Sequence, residues 1–444
     1  MNKQVNQLRI KGWIVGVLYA LCVICPWIIQ SGVSFLFKVF SAIFLIVFNL
    51  TASKAALNRL KHIQLSKGYY LLRAFSSFLV VYIGVVWLNV THLLSMNRWS
   101  IAAFIIWSLG WGAVLFWNGM IRIFTTSVQL GIRSRTVGTI LGMIPILNLI
   151  MMFWWLHLVH DELIFEGDIE REYEVCSRNE CETQYPILLV HGVFFRDTKL
   201  MNYWGRIPHH LIQKGARIYY GNQESAQSVE ESALSLKKRI HEVLEESECD
   251  KVNIIAHSKG GLDARYAISC LEMSPYVASL TTINTPHNGC RYAEVILDHA
   301  PNKFVSGVAH IYDMIFKRLG DKNPDFVSSV IDLTESRCLS LRKIMVDSDD
   351  VYYQTVMSCL TNRYSARFPL SFVYDLAKHY DRENDGLVSI ESGLAFQNPT
   401  LIRPTTRRGI SHADMIDLHR ENIKGFDVRR FYEGLIVSLK QKGY

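Results

Sequence analysis

Ser258 is the residue around which chemistry can be built. It stands in Ala256-His257-Ser258-Lys259-Gly260-Gly261, after an apolar run and before a helix-like segment at 262–271. A serine on a tight strand-to-helix turn holds its hydroxyl exposed, and small residues two before and two after it let neighbouring backbone pass close. The usual pattern is Gly-x-Ser-x-Gly. Here Ala256 takes the first glycine's place, and alanine is the smallest alternative. The helix start places its N–H groups and dipole toward a developing anion. A serine hydroxyl is a poor nucleophile near neutral pH, so it needs a base, and the base needs an orienting acid. Where such a turn sits on a parallel sheet, the chain order is Ser, acid, His. Asp385, in Asn384-Asp385-Gly386-Leu387-Val388, and His412, in a polar loop ending Ala413-Asp414-Met415, satisfy that order at separations of 127 (385 − 258) and 27 (412 − 385) residues. Asp375, Asp381 and Glu383 compete as acids, and His379 and His419 as bases.

The same turn needs donors for an oxyanion. One is the backbone N–H that follows the nucleophile, Lys259. The other comes from the loop after the first strand, where Val193 is chosen and Phe194 is the alternative. Gly192 permits an unusual backbone turn there, and His191 reads as structural.

These residues must be positioned by a sheet. Residues 185–190, 251–256 and 279–284 are short apolar runs, followed by His191-Gly192, His257-Ser258 and Thr285-Pro286. Between the first two, residues 228–246 carry charge on one helical face and Val229, Ala233, Leu236, Ile240, Val243 and Leu244 on the other. Strands alternating with helices predict an α/β architecture with a mostly parallel sheet covered on both faces. Phe194, Phe195, Tyr203 and Trp204 read equally as acyl-pocket lining or core. Residues 292–341 read equally as a lid or as helices covering the sheet.

The chain before this body is of another kind. Residues 1–160 hold 13 Lys/Arg and no Asp or Glu, so the other 284 residues (444 − 160) hold 34 basic (47 − 13) and all 40 acidic residues, a net −6. A stretch this long without a carboxylate, with apolar runs at 12–30, 33–50, 73–90, 99–117 and 137–159, predicts about five transmembrane helices over 1–160. The first two runs read alternatively as one re-entrant hairpin. Pro145 predicts a kink in the last. Lys3, Arg9, Lys11, Lys54, Arg59, Lys61, Lys67, Arg73, Arg122, Arg133 and Arg135 lie on one set of connections, against Lys38 and Arg98 on the other, so the first set is cytoplasmic. Five crossings then place everything after 160 outside the cytoplasm; an even number reverses that. Residues 161–184 read as a linker, and 185–444 as the catalytic domain.

Residues 185–192, the turn at Ser258, Thr281-Thr-Ile-Asn-Thr-Pro-His-Asn-Gly289, residues 384–388 and the loop around His412 together resemble bacterial triacylglycerol lipases. The resemblance implies an α/β-hydrolase fold and serine-ester hydrolysis, with Ser258 as nucleophile, Asp385 as acid and His412 as base. It implies lipid esters as substrate, an acyl-enzyme, no redox cofactor and a bacterial plasma membrane for the anchor. It also implies a structural calcium, with Asp414 at the position of a ligand just after the histidine. Ala256, and Asn288 where Arg or Lys is common, depart from the family pattern, and the N-terminal region is foreign to the secreted lipases.

Other classes weigh less. A phospholipase, an acyltransferase to an acceptor other than water, and an inactive membrane-anchored interaction protein are alternatives. The basic residues sit with apolar segments, so nucleic-acid binding is not supported. The nine cysteines show no zinc spacing; Cys176 and Cys181 could pair if outside the cytoplasm.

Overall fold

The computed structural model describes residues 1–28, 34–55, 57–142, 144, 146–175, 179–193, 203–224, 226–299, 301–319, 324–367, 370–403 and 407–444. It divides into two compact units, Met1–Val175 and Cys176–Tyr444. Each is described by itself.

The first unit is all helix: α1 (Asn2–Ile28), α2 (Ser34–Leu50), α3 (Leu60–Leu88), α4 (Val90–Ser95), α5 (Arg98–Thr126), α6 (Ile132–Leu141) and α7 (Leu147–Val175). Three of them, α1, α3 and α5, are long and apolar enough to cross a membrane; α2 is a shorter apolar helix. Small residues let these helices meet closely, as membrane helices do. A Cβ on Gly16 would lie 1.9 Å from Ser77 Oγ, and one on Gly119 would lie 2.8 Å from Leu72 Cγ. Outward faces stay apolar: Ile14, Leu18, Phe35, Phe40, Ile83, Ile106 and Leu109 are all exposed. Water would penalise such a surface, and lipid would not.

Two expectations change here. The run at 137–159 is not one crossing helix. The chain leaves α6 at Leu141 and begins α7 at Leu147; Pro145 itself lies outside the described residues. Residues 161–175 are not linker, because α7 continues through them to Val175, with Glu162, Glu166 and Glu170 buried against unit 1. Periodicity could not reveal this, since their hydrogen-bond partners come from distant residues. Among the described residues three helices are long and apolar enough to cross, with α2 shorter, so the odd number that would place the second unit outside the cytoplasm does not follow from them.

The second unit runs β1 (Ile187–Val190), α8 (Ile207–Gln213), β2 (Ile218–Tyr220), α9 (Val229–Ser247), β3 (Val252–His257), α10 (Lys259–Cys270), β4 (Val277–Ile283), α11 (Arg291–His299), α12 (Asn302–Leu319), α13 (Phe326–Ile331), α14 (Glu335–Ile344), β5 (Tyr352–Ser358), α15 (Leu370–Asp381), α16 (Ile390–Gly393), β6 (Pro399–Ile402) and α17 (Val428–Gln441). Its six strands form one sheet, ordered β2-β1-β3-β4-β5-β6, with every pairing parallel.

Strands β1, β3 and β4 are buried along their whole length, which is why they read as unbroken apolar runs. One face packs on α17 and the segment around Trp204, the other on α9 and α10. Helix α9 starts at Ser228, whose side chain accepts from Glu231 N–H, and buries Val229, Ala233, Leu236, Ile240 and Val243. Each of the valine, leucine and isoleucine side chains among them, fully buried, contributes on the order of 1.5–3 kcal/mol. From β1 the chain crosses to β2 on one side, and from β3 to β4 on the other. The carboxyl ends of β1 and β3 thus flank the point where strand order reverses, the position at which open α/β sheets bind ligands.

Candidate active site

Ser258 follows directly on β3 and precedes α10. Its backbone has φ 57° and ψ −132°, a region that costs a non-glycine residue about 1–3 kcal/mol. The surroundings enforce the turn. A Cβ on Gly260 would lie 2.3 Å from His191 O, and one on Gly261 would lie 2.1 Å from Thr285 Oγ1. No larger residue fits at either place. Ser258 itself is half-buried, and Lys259 occupies the first position of α10, where a backbone N–H has no partner within the helix. The Lys259 side chain turns away and is buried against Asp263 (2.6 Å) and Ser232 (3.1 Å).

The loop after β1 passes against this turn. A Cβ on Gly192 would meet Ser258 Cβ at 2.8 Å and Tyr203 Oη at 2.9 Å. Gly192 N–H donates to Tyr203 Oη (3.0 Å), which also contacts His257 Nδ1 (2.7 Å). Val193, the next residue, is buried. His191 is structural, its ring nitrogens lying against Gly192 O (2.9 Å) and Gln223 O (3.0 Å). Phe194 and Phe195 lie outside the described residues. Tyr203 and Trp204 belong to the core with Ile207, Met415 and Tyr432. Tyr203 is nonetheless more than filler, because its hydroxyl ties the β1 loop to the end of β3.

Asp385 and His412 are brought together from distant segments. His412 Nδ1 lies 2.7 Å from Asp385 Oδ2, and His412 N–H donates to Asp385 O (2.9 Å). Asp385 is fully buried and its carboxylate is fully engaged. Oδ1 accepts from Leu387 N–H (2.9 Å) and Val388 N–H (2.8 Å), and Oδ2 also accepts from Asn284 Nδ2 (2.6 Å). The His412 ring also packs against His257, centroid to centroid at 4.4 Å. Burial, with His412 alongside, pushes the pKa of His257 well below the ordinary histidine range. His257 is therefore a neutral wall beside His412.

The competing residues sit elsewhere. Asp375 pairs with Arg363, Glu383 with Arg403, and Asp381 lies 3.5 Å from Arg291. His379 packs on Tyr380, and burial lowers the pKa of His419. Asn284 was not marked as functional by sequence. It directly follows β4 at φ 49°, a conformation asparagine tolerates better than most residues, and it bridges Asp385 to Ser358 (2.7 Å). Asn284→Ala removes one hydrogen bond to a buried carboxylate, about 1.5–3 kcal/mol. A fall in kcat of about tenfold to a hundredfold with KM little changed is expected from steady-state kinetics.

Asp414 does not fit a calcium ligand. Its Oδ1 pairs with Arg408 Nη2 (3.1 Å), and its Oδ2 accepts from Ser411 N–H (2.8 Å). Arg408 also binds Glu421 Oε2 (2.6 Å), and Arg367 pairs with the same carboxylate. Among the described residues no group of three or more His, Cys, Asp or Glu is arranged to hold a metal ion. A guanidinium thus supplies the cation beneath the His412 loop. Chelator is expected to leave the melting temperature unchanged. Arg408→Gln strands the buried Asp414 carboxylate and is expected to lower it by several degrees, about 2 kcal/mol, as differential scanning fluorimetry would read.

The family described as palmitoyl protein thioesterase matches residues 186–323. A triacylglycerol lipase of Burkholderia plantarii is 36% identical over 129 residues, which cover 28% of this chain and 36% of that lipase. A triacylglycerol lipase of Vibrio cholerae serotype O1 is 36% identical over 126 residues, 28% of this chain and 40% of that lipase. Over that stretch unit 2 is similar in sequence to these lipases. The chain spans well under half the length of the curated relatives it matches. Among solved structures, Staphylococcus hyicus lipase aligns with a TM-score of 0.45 at 17% identity, covering 59% of this chain and 97% of that one. Mature Bacillus licheniformis lipase BlEst2 aligns at 0.43 and 18% identity, covering 57% and 93%. The matched family segment, residues 186–323, contains the Ser258 turn. Asp385 and His412 lie beyond residue 323, where the matched family segment ends, and their pairing rests on the geometry above.

Proposed function

We propose that this chain is a membrane-anchored serine hydrolase that cleaves carboxylic esters of lipids. The observation that carries the proposal is His412, held by buried Asp385 and laid against His257, the residue before Ser258. Ser258 Oγ attacks the ester carbonyl carbon while His412 takes its proton. The tetrahedral oxyanion is met by the N–H groups of Val193 and Lys259. The carbon–oxygen bond to the alcohol then breaks, His412 returns the proton to the leaving oxygen, and an acyl group remains on Ser258. Water, deprotonated by His412, releases the acid and restores the serine. Side chains, these two backbone N–H groups and water carry every step.

The anchor is assigned to α1, α3 and α5 with α2, in a bacterial plasma membrane. That assignment is supported by their length and apolar outer faces, and by the bacterial origin of several relatives. The match to the palmitoyl protein thioesterase family favours a second reading of the same site, a long-chain thioester in place of the oxygen ester; the acyl-enzyme is identical.

The test is a panel of short- and long-chain oxygen esters, phospholipid and a palmitoyl thioester, offered to the purified full chain with and without an alcohol acceptor. A fluorophosphonate adduct is mapped by mass spectrometry in parallel. Release of free acid together with an adduct on Ser258 is expected. Rates at the buffer background across the whole panel, with Ser258 unlabelled, would remove the proposal. Hydrolysis of the thioester alone would select the second reading.

A further inference from the structure

The chain leaves unit 1 on a definite face of the helix bundle, and contacts within that unit identify the face. Helices α1 and α3 run parallel. A Cβ on Gly12 would meet Arg73 and Tyr70, and one on Gly16 would meet Ala74 and Ser77. Helix α5 runs against them, with Gly119 at Leu72 and Gly112 at Phe78. The beginnings of α1 and α3 and the end of α5 therefore share one face. Two parallel neighbours need a return between them, and α2 provides it. Lys38, near its start, sits 4.0 Å over the ring of Trp27 at the far end of α1, while Asn49, at its finish, reaches Tyr19 Oη (3.2 Å) and Asn118 (3.2 Å). The helix covers about 25 Å at 1.5 Å per residue, most of a hydrocarbon core.

From Trp155 onward, helix α7 keeps to the shared face. The Trp155 ring lies 5.0 Å from Phe124. Glu162 accepts from Ser127 Oγ (2.5 Å) and Val128 N–H (2.7 Å). The Met1 ammonium lies 3.3 Å from Asp168, and Glu170 accepts from Asn58 N–H (2.7 Å) and pairs with His62. All of these partners stand at the start of α1 or α3 or at the end of α5. Carboxylates this numerous do not enter hydrocarbon, and here they meet the face that holds Lys3, Lys54, Arg59, Lys61 and Arg122. The opposite end holds Lys38 and Arg98.

We infer that Val175, and with it the start of the hydrolase unit, lies on the cytoplasmic side, so that the esters it reaches are those of the leaflet facing the cytoplasm. The crossings are α1, α2, α3 and α5, an even set, and the positive-inside bias fixes their direction. A second observation agrees. Among the described residues Cys181, Cys249, Cys270, Cys290, Cys338 and Cys359 of the second unit are free thiols, the state that a reducing compartment maintains; Cys176 lies outside the described residues. The side of the membrane follows from unit 1 alone; only the choice of leaflet rests on the ester-hydrolase reading.

Two epitopes test this in the full chain expressed in a bacterial host, one inserted between Met96 and Asn97 and one after Tyr444. Protease is added to right-side-out spheroplasts before and after lysis. The Met96 epitope is expected to be lost from sealed spheroplasts while the Tyr444 epitope is retained in full until lysis. Loss of the Tyr444 epitope from sealed spheroplasts overturns the inference, and so does protection of the Met96 epitope until lysis. Fluorophosphonate labelling of the lysed membranes shows separately whether the tagged chain is folded and whether Ser258 reacts, so failure of the hydrolase reading cannot be mistaken for failure of the sidedness.

Discussion

Ser258→Ala is expected to lower kcat on a short-chain ester by about six orders of magnitude, as loss of a nucleophile in a Ser-His-Asp site does, and to abolish fluorophosphonate labelling. The fold should survive. Alanine keeps the Cβ that the turn already accommodates beside Gly192, and the tight contacts at Gly260 and Gly261 are untouched. Melting temperature should therefore change little, while activity disappears. Equal hydrolysis by wild type and variant, both labelled alike, would mean that another residue attacks the substrate. A variant that is inactive but also unfolded would be recognised by its melting curve. Gly260→Ala then serves as the contrast, because it must displace His191 O and should lose stability and activity together.

Asp385→Asn is expected to lower kcat by about four orders of magnitude. The reason is specific to this carboxylate. Its two oxygens face only donors: Leu387 N–H and Val388 N–H on one, His412 Nδ1 and Asn284 Nδ2 on the other. An asparagine amide must turn its NH2 group toward one of these pairs. Turned toward His412, it forces the imidazole into the wrong tautomer. Turned toward the backbone, it opposes two N–H groups and opens the loop. Either way His412 loses the orientation that lets it act as base. Asp375→Asn and Glu383→Gln are the controls, since both carboxylates form surface ion pairs with arginine and should leave kcat within about twofold, given how little exposed pairs contribute. A loss at Asp385 no larger than at these two positions would remove it from the proposed mechanism.

Much of the second unit was legible because its information is local. Strands β1, β3 and β4 are buried on both faces and so appear as apolar runs, and α9 carries its own cap and apolar stripe. The strands β2, β5 and β6 were not read. Strand β2 is three residues long, β5 mixes Gln354 and Thr355 into its run, and β6 begins with an exposed proline at the sheet's edge. The candidate serine, acid and histidine could be listed from residue types and order. Competing acids and bases stayed open because chain order carries no distances.

The sequence by itself determined two bodies of different solvent preference, a basic bias among the helix connections, and a serine on a tight turn. Those follow from composition, periodicity and the sterics of neighbouring residues. Only the tertiary structure joined Asp385 to Asn284 and His412, hung Gly192 on Tyr203, and set Arg408 rather than a metal site beside Asp414, because these contacts link residues far apart in the chain. It also carried α7 back to the face where α1 begins. Hydropathy counts apolar residues along a line, and it cannot see that Glu162, Asp168 and Glu170 are held at one end of a bundle by Ser127, Met1 and Asn58.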